Sequence, residues 1–225
     1  MPDQAQRRLL EDTGLPFANA GAIDQDEPNP CIVFRNSEAG RLLAAHLWEL
    51  GHRRVGILAA HPSNHQCEER LRGMRAVFAE NGAPLDNAWV RRAPTPEINF
   101  AVGYEFAAEL LDAHPDLTAL MAINDMMAIG ALRCVGERGR AVPAAFSVTG
   151  FDDLCVGPTV AEGNRIGAYI TPQLTTIRTP IEQGGRAAAQ LLIDLVERKV
   201  DPAVRHVVEL KPELVVREST GAARG

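Results

Sequence analysis

The residues best suited to chemistry fall just after apolar runs of strand length. Gln66 and Arg70 follow the run 54–60 and stand four apart, so on a helix they share a face. An arginine there can fork two hydrogen bonds to a carboxylate, a phosphate or vicinal hydroxyls. Asn124 and Asp125 follow the run 118–123, and Asp152 and Asp153 follow 145–151, offering carboxylates that accept from sugar hydroxyls or amine donors. After Val90 come Ile98, Asn99 and Phe100, with apolar and aromatic bodies able to stack on a ligand ring. Open parallel sheets bind ligands beyond the carboxyl ends of their strands. One rim would then carry Arg70, Gln66, Asn124 and Asp152, a mixed donor and acceptor set suited to a polar small molecule.

Each residue also has an ordinary structural use. Asn124 and Asp125 are good helix caps, Asp152-Asp153 is common turn chemistry, and Ile98 and Phe100 could simply pack. Arg70 taken alone reads as a surface ion pair with Glu69 or near Glu80. Shared position on one sheet edge is what favours the binding reading.

Catalytic constellations are missing. No GxSxG elbow, GxxxxGK[ST] loop, GxGxxG fingerprint or HExxH helix occurs, and Pro62 opposes placing His61 and His65 on one helix face. Neither a catalytic residue, a metal site nor a cofactor is expected. Cys31, Cys67, Cys134 and Cys155 form no CxxC pair and read as reduced thiols filling gaps.

The elements that must position these residues alternate strand-like and helix-like along the chain, the rhythm of parallel βαβ units in an α/β protein. Strands are expected at 15–20, 31–34, 54–60, around Trp89-Val90, at 118–123 and at 145–151. Helices are expected from Asn36 or Ser37 to about Leu50, through Cys67, Leu71, Met74, Val77 and Phe78 to a stop at Asn81-Gly82, and over 101–113, 125–138 and 180–198. Loops are expected at 24–30 and over 152–172, where Gly157-Pro158, Gly163-Asn164 and Gly167 break the rhythm. Pro212 splits the strand-like stretch 207–216 into an edge strand or two short pieces.

With 225 residues, 46% hydrophobic, the chain can bury a core and excludes disordered or collagenous classes. A net charge of −6 argues against unaided binding to phosphate backbones. Arginine outnumbers lysine 21 to 2, but the arginines are scattered and form no basic patch. No apolar stretch has the length of a membrane span or the form of a signal peptide, so a cytoplasmic location without membrane contact is expected.

Several ordered motifs carry a family resemblance. Glu49-Leu50-Gly51-His52-Arg53-Arg54-Val55, Glu69-Arg70-Leu71-Arg72-Gly73-Met74, Ala122-Ile123-Asn124-Asp125-Met126-Met127-Ala128, Val148-Thr149-Gly150-Phe151-Asp152-Asp153, Leu174-Thr175-Thr176-Ile177-Arg178 and Val215-Val216-Arg217-Glu218-Ser219-Thr220 closely resemble the effector-binding domain of LacI/GalR transcription regulators, over about residues 15–220. The resemblance implies a type I periplasmic-binding-protein-like fold, with parallel sheets flanked by helices in two subdomains and the effector between them. It places Arg70, Asn124 and Asp152 at effector contacts, and Gln66, Ile98 and Thr179 at more variable contact positions. Asn36 matches a polar residue near the hinge, while Arg35 and Gly21 stand where aspartates are frequent.

Residues 37–174 with 207–220 would form a nearly complete carboxyl-proximal subdomain. Residues 1–36 with 175–206 would be a truncated remnant of the amino-proximal one, and 221–225 a tail. The family's helix-turn-helix would precede these residues, so DNA would be reached only through a domain outside this chain. Homodimerisation through the helix 125–138 is implied too. Rival readings are a solute-binding protein of a sugar transporter, which shares the fold, and an enzyme on the same scaffold.

Overall fold

A computed structural model describes residues 8–10, 12–21, 30–153, 170–201 and 204–224. The chain divides into two compact units, one of residues 1–35 and 180–211, the other of residues 36–179 and 212–225. The expected loop 24–30, apart from Pro30, lies outside the described residues, as do 154–169 of the expected loop 152–172, and with them Cys155.

The larger unit is built on a parallel sheet. Strands β3 (Val55–Ala59), β4 (Val90–Arg92), β5 (Ala119–Ala122) and β6 (Ser147–Thr149) stand in the order β4-β3-β5-β6. All residues of β3, β5 and β6 are buried, as expected for strands covered on both faces. Helices α1 (Asn36–Glu49), α2 (His65–Glu80), α3 (Phe100–Ala113) and α4 (Asp125–Glu137) flank it.

Side chains and glycines fix where these helices begin and end. Asn64, Asn99 and Asn124 each accept a backbone N–H of their helix's first turn, from Cys67, Val102 and Met127. Helix α1 stops at Gly51 (φ +90°), where the Gly51 and His52 amides donate to the Trp48 and Leu47 carbonyls. Gly82 ends α2 in the same way, with its own and the Ala83 amide donating to Ala79 and Phe78.

A further antiparallel pair, β7 (Thr176–Arg178) with β9 (Glu213–Val215), completes this unit, and isolated bridges Thr149↔Thr175 and Asp152↔Arg178 set the β7 segment beside the β6 segment. The smaller unit holds a parallel sheet β1-β2-β8, of β1 (Asn19–Ala20), β2 (Cys31–Phe34) and β8 (Val207–Leu210), under helix α5 (Ile181–Val196). Its core gathers Ile32, Leu191 and Leu195, and Gly184 lets Phe34 approach closely enough that an added Cβ would lie 2.7 Å from its ring.

Two sequence expectations are corrected. Only Asn19 and Ala20 of the strand 15–20 pair, because the partner strand opposite begins at Cys31. Trp89 closes a single 3₁₀ turn, Asn87–Trp89, capped by Asp86, and the strand begins at Val90. The stretch 207–216 falls into two short strands as Pro212 predicts: Val207–Leu210 pairs in register with Cys31–Phe34 in the smaller unit, whereas Glu213–Val215 pairs with Thr176–Arg178 in the larger. Pro212 explains the switch, since it has no N–H to continue a ladder.

The positioning of His52 by the Gly51 stop has a measurable consequence. His52 is 2% exposed; Nε2 faces the Gly221 carbonyl and Ser147 Oγ, both at 3.0 Å, and Nδ1 faces Thr118 Oγ1 at 2.9 Å. Burial holds its imidazole below the ordinary 6.5, opposed by the Gly221 carbonyl and aided by nearby His46 and Arg53. A depressed folded-state value means that the unfolded chain binds the proton more readily. Full stability is therefore present above about pH 6.5 and is lost as pH falls through the lowered folded value. Melting temperatures should fall between about pH 7 and pH 5. His52→Gln should flatten that slope in thermal melts followed by circular dichroism.

Candidate functional site

Arg70 lies in the buried stripe of α2, among Cys67, Leu71, Gly73, Met74, Val77 and Phe78. It is 7% exposed, so the surface ion pair that its sequence context suggests is not formed; Glu69 pairs with Arg72 and Glu80 with Arg41. A buried guanidinium needs partners on several sides. Nε donates to Asn36 Oδ1 (3.0 Å), Nη1 to the Ile123 carbonyl (2.8 Å), and Nη2 stands 3.0 Å from Asp152 Oδ1. The guanidinium carbon lies 3.7 Å from the Phe151 ring centroid, a cation–π contact.

The strand ends β5 and β6 deliver the remaining groups. Ile123, which accepts from Arg70, is followed by Asn124, the 3% exposed cap of α4. Asp152 keeps 22% of its side chain exposed while Arg70 keeps 8%, so the carboxylate is the more accessible half of the pair. Gln66 is half-buried in the first turn of α2, one turn before Arg70. Ile98 packs against the main core from the loop after β4. Thr179 follows β7, and its buried Oγ1 has no hydrogen-bond partner among the described residues. Arg70, Asp152 and Asn124 are thus brought together; no hydrogen bond or ion pair joins Ile98 or Thr179 to them among the described residues.

Neighbouring groups are structural. Asp125 is 1% exposed, accepts from Thr176 Oγ1 at 2.6 Å, and its amide donates to the Phe151 carbonyl. Gly150 is needed beside it, since an added Cβ would fall 2.2 Å from Asp125 Oδ1. Burial pushes the Cys67 thiol up to about 11, against the pull of Arg70, which leaves it protonated at neutral pH and a poor nucleophile.

The backbone that presents Asp152 is unusual. Asp152 has φ 103° and Asp153 φ 51°, a region that residues with a Cβ rarely adopt and that costs about 1–3 kcal/mol per residue. Asp153 is 4% exposed and held by two arginines, Arg178 Nε at 2.8 Å and Arg217 Nη2 at 2.7 Å. The sequence offers Asp153 as a carboxylate after the strand, with turn chemistry as its ordinary use, but does not show its arginine partners. These lie 25 and 64 residues away, and their only signal is an Arg closing each of the runs 174–178 and 215–217.

Chemically, the site is a balanced ion pair flanked by an aromatic face and amide groups, able to donate to and accept from a polar ligand. The model of a periplasmic binding protein-like domain matches residues 44–220. The HTH-type transcriptional regulator CelR of Thermobifida fusca is 31% identical over 220 residues, covering 96% of this chain and 60% of its own. Among solved structures, a LacI-family regulatory protein from Chloroflexus aggregans superposes with TM-score 0.82 at 28% identity, covering 97% of this chain and 73% of that one. A CelR–cellobiose complex gives TM-score 0.82 at 30% identity, covering 96% of this chain and 62% of that one. The chain therefore spans only 60% of the length of this curated relative and 51% of that of the GalR regulator of Escherichia coli. These relatives are regulators rather than enzymes.

Proposed function

Because the chain belongs to the periplasmic binding protein-like family, in the form found in LacI/GalR regulators, we propose that it is the effector-binding part of a cytoplasmic transcriptional regulator and holds a small, sugar-like metabolite at Arg70, Asn124 and Asp152. The observation that carries this reading is the buried Arg70–Asp152 pair over Phe151 at the carboxyl ends of β5 and β6. Because the pair is neutral overall, it suits an uncharged polyhydroxyl ligand, whose vicinal hydroxyls can both donate to Asp152 and accept from Arg70. Gln66, Ile98 and Thr179 would tune selectivity around it. The cellobiose complex of a similar regulator supports the ligand class.

In this role, effector binding would shift the DNA affinity of a helix-turn-helix of the kind the relatives' names declare, through differential affinity for two states. The reading as a transporter's solute-binding protein is not favoured, since the matched relatives are transcription regulators.

A thermal-shift screen over cellobiose, galactose, ribose, sugar acids and nucleobases tests the proposal. A ligand at 100 times its Kd should add about 2.7 kcal/mol of stability. No shift with any of them, or a shift retained by Asp152→Ala, would move the site elsewhere.

The regulator reading also calls for a homodimer. Phe100, Tyr104, Ile129 and Arg133 line an apolar hollow on α3 and α4, with Phe100 43% exposed. Placing a charge there should break the association: Ile129→Glu is expected to convert a species of twice the chain's 24.3 kDa into one of that mass in light scattering.

A further inference from the structure

We propose that Asp153 is a positioning residue for the effector site: gripped by Arg178 and Arg217, it fixes the backbone turn that aims the Asp152 carboxylate at Arg70. The inference rests on the reading of Arg70 and Asp152 as effector contacts.

Four observations carry it. The two consecutive residues both hold positive φ, 103° and 51°. Such strain persists only where surrounding structure over-determines it. The Asp153 carboxylate is 3% exposed in its side chain, and its two oxygens are divided between Arg178 Nε and Arg217 Nη2. The two arginines are tied down in turn. Arg178 sits opposite Glu213 in the β7–β9 ladder and donates to its carboxylate at 3.2 Å, and Arg217 Nη1 donates to the Leu174 carbonyl at 2.9 Å. Finally, the Asp152 amide donates to the Ile177 carbonyl at 2.8 Å, so the peptide before Asp152 is pinned to the same strand that supplies Arg178.

Pinned on its amino side by Ile177 and on its carboxyl side by the Asp153 clamp, residue 152 has no freedom to return to ordinary negative φ. Release the clamp, and φ of 152 relaxes, rotating its Cβ away from the line to Arg70 Nη2. Asp153 therefore touches no ligand itself and acts through Asp152. The arginines of β7 and of the segment after β9 thereby serve the site without lining it.

The test uses the intact chain with two readouts. The first needs no ligand: ¹⁵N-resolved guanidinium signals of Arg70, which the bonds to Asn36, Ile123 and Asp152 should keep distinct and slowly exchanging. Asp152→Ala should collapse them, and Asp153→Ala should do the same although it removes no atom that touches Arg70. Asp153→Asn, which tolerates positive φ and keeps an acceptor for one arginine, should restore them in part. The second readout is the Kd for the best-binding sugar of cellobiose, galactose and ribose. Asp153→Ala should weaken it about tenfold, the size of a typical coupling between contacting residues, and add nothing in an Asp152→Ala background.

Unchanged Arg70 signals in Asp153→Ala, or a loss of affinity that adds fully to that of Asp152→Ala, would overturn the proposal. Should Asp153→Ala fail to fold, Arg178→Met decides, since that arginine is 45% exposed: collapsed signals support the clamp and preserved signals refute it. If none of the sugars binds the wild-type chain, the effector reading fails, while the guanidinium signals still decide whether Asp153 positions Asp152.

Discussion

Replacing Arg70 by alanine is expected to abolish every ligand-induced thermal shift and to lower the melting temperature by on the order of 10 °C. The loss has two sources. Removing the buried member of the pair takes its donors away from Asn36 Oδ1, the Ile123 carbonyl and the Asp152 carboxylate. Breaking such a pair typically costs about 3–5 kcal/mol. The Phe151 ring also loses the guanidinium stacked 3.7 Å from its centroid. Arg70→Lys should recover little, because an ammonium cannot reach three partners in one plane. Asp152→Ala should strongly weaken the ligand response with a smaller fall in melting temperature, since its carboxylate is partly solvated. The contrast separates the stability role of Arg70 from a binding role shared with Asp152, and differential scanning calorimetry with and without the best ligand measures both.

The second large effect is expected from helix packing. An added Cβ at Gly73 would lie 2.0 Å from the Ser37 carbonyl oxygen, and one at Gly40 would lie 2.1 Å from the carbonyl oxygen of Arg70 itself. Both contacts are to backbone, which cannot rotate aside. Gly73→Ala or Gly40→Ala must therefore push α1 and α2 apart, at about 3 kcal/mol or more, the upper range for overpacking. Separation would also draw Asn36, at the start of α1, away from Arg70 Nε. These variants should thus lose ligand response as well as stability, measured by the same calorimetry, although both glycines pack against the backbone of the facing helix. The α3–α4 crossing has the same character, with Gly103 and Gly130 packed against the Met127 and Phe100 carbonyls.

The strand ends that carry the site were legible because local rules marked them. Apolar runs gave β3, β5 and β6, Gly51 and Asn81-Gly82 marked true helix stops, and Asn124 and Asp152 followed as the residues just beyond the strands. Arg70 stands three residues after Cys67 and four before Met74, inside the apolar stripe, and the surface pair that is its ordinary alternative is not formed. What period could not reveal was long-range partnership. Asp153 finds Arg178 and Arg217 only through the pairing of β7 with β9, and although Pro212 marks the split of 207–216 into two short pieces, nothing local says that β8 pairs with β2 and β9 with β7. The family motifs carried the fold further than periodicity did, and they named Arg70, Asn124 and Asp152 without indicating that Arg70 and Asp152 are already bonded to each other.

The central claim is that Arg70 and Asp152 jointly hold a diffusible polar metabolite. A crystal structure of the chain with the ligand of largest thermal shift tests it directly. We expect ligand hydroxyls within hydrogen-bond distance of the Asp152 carboxylate and the Arg70 guanidinium. Density for the ligand elsewhere, with the Arg70–Asp152 pair untouched, would contradict it.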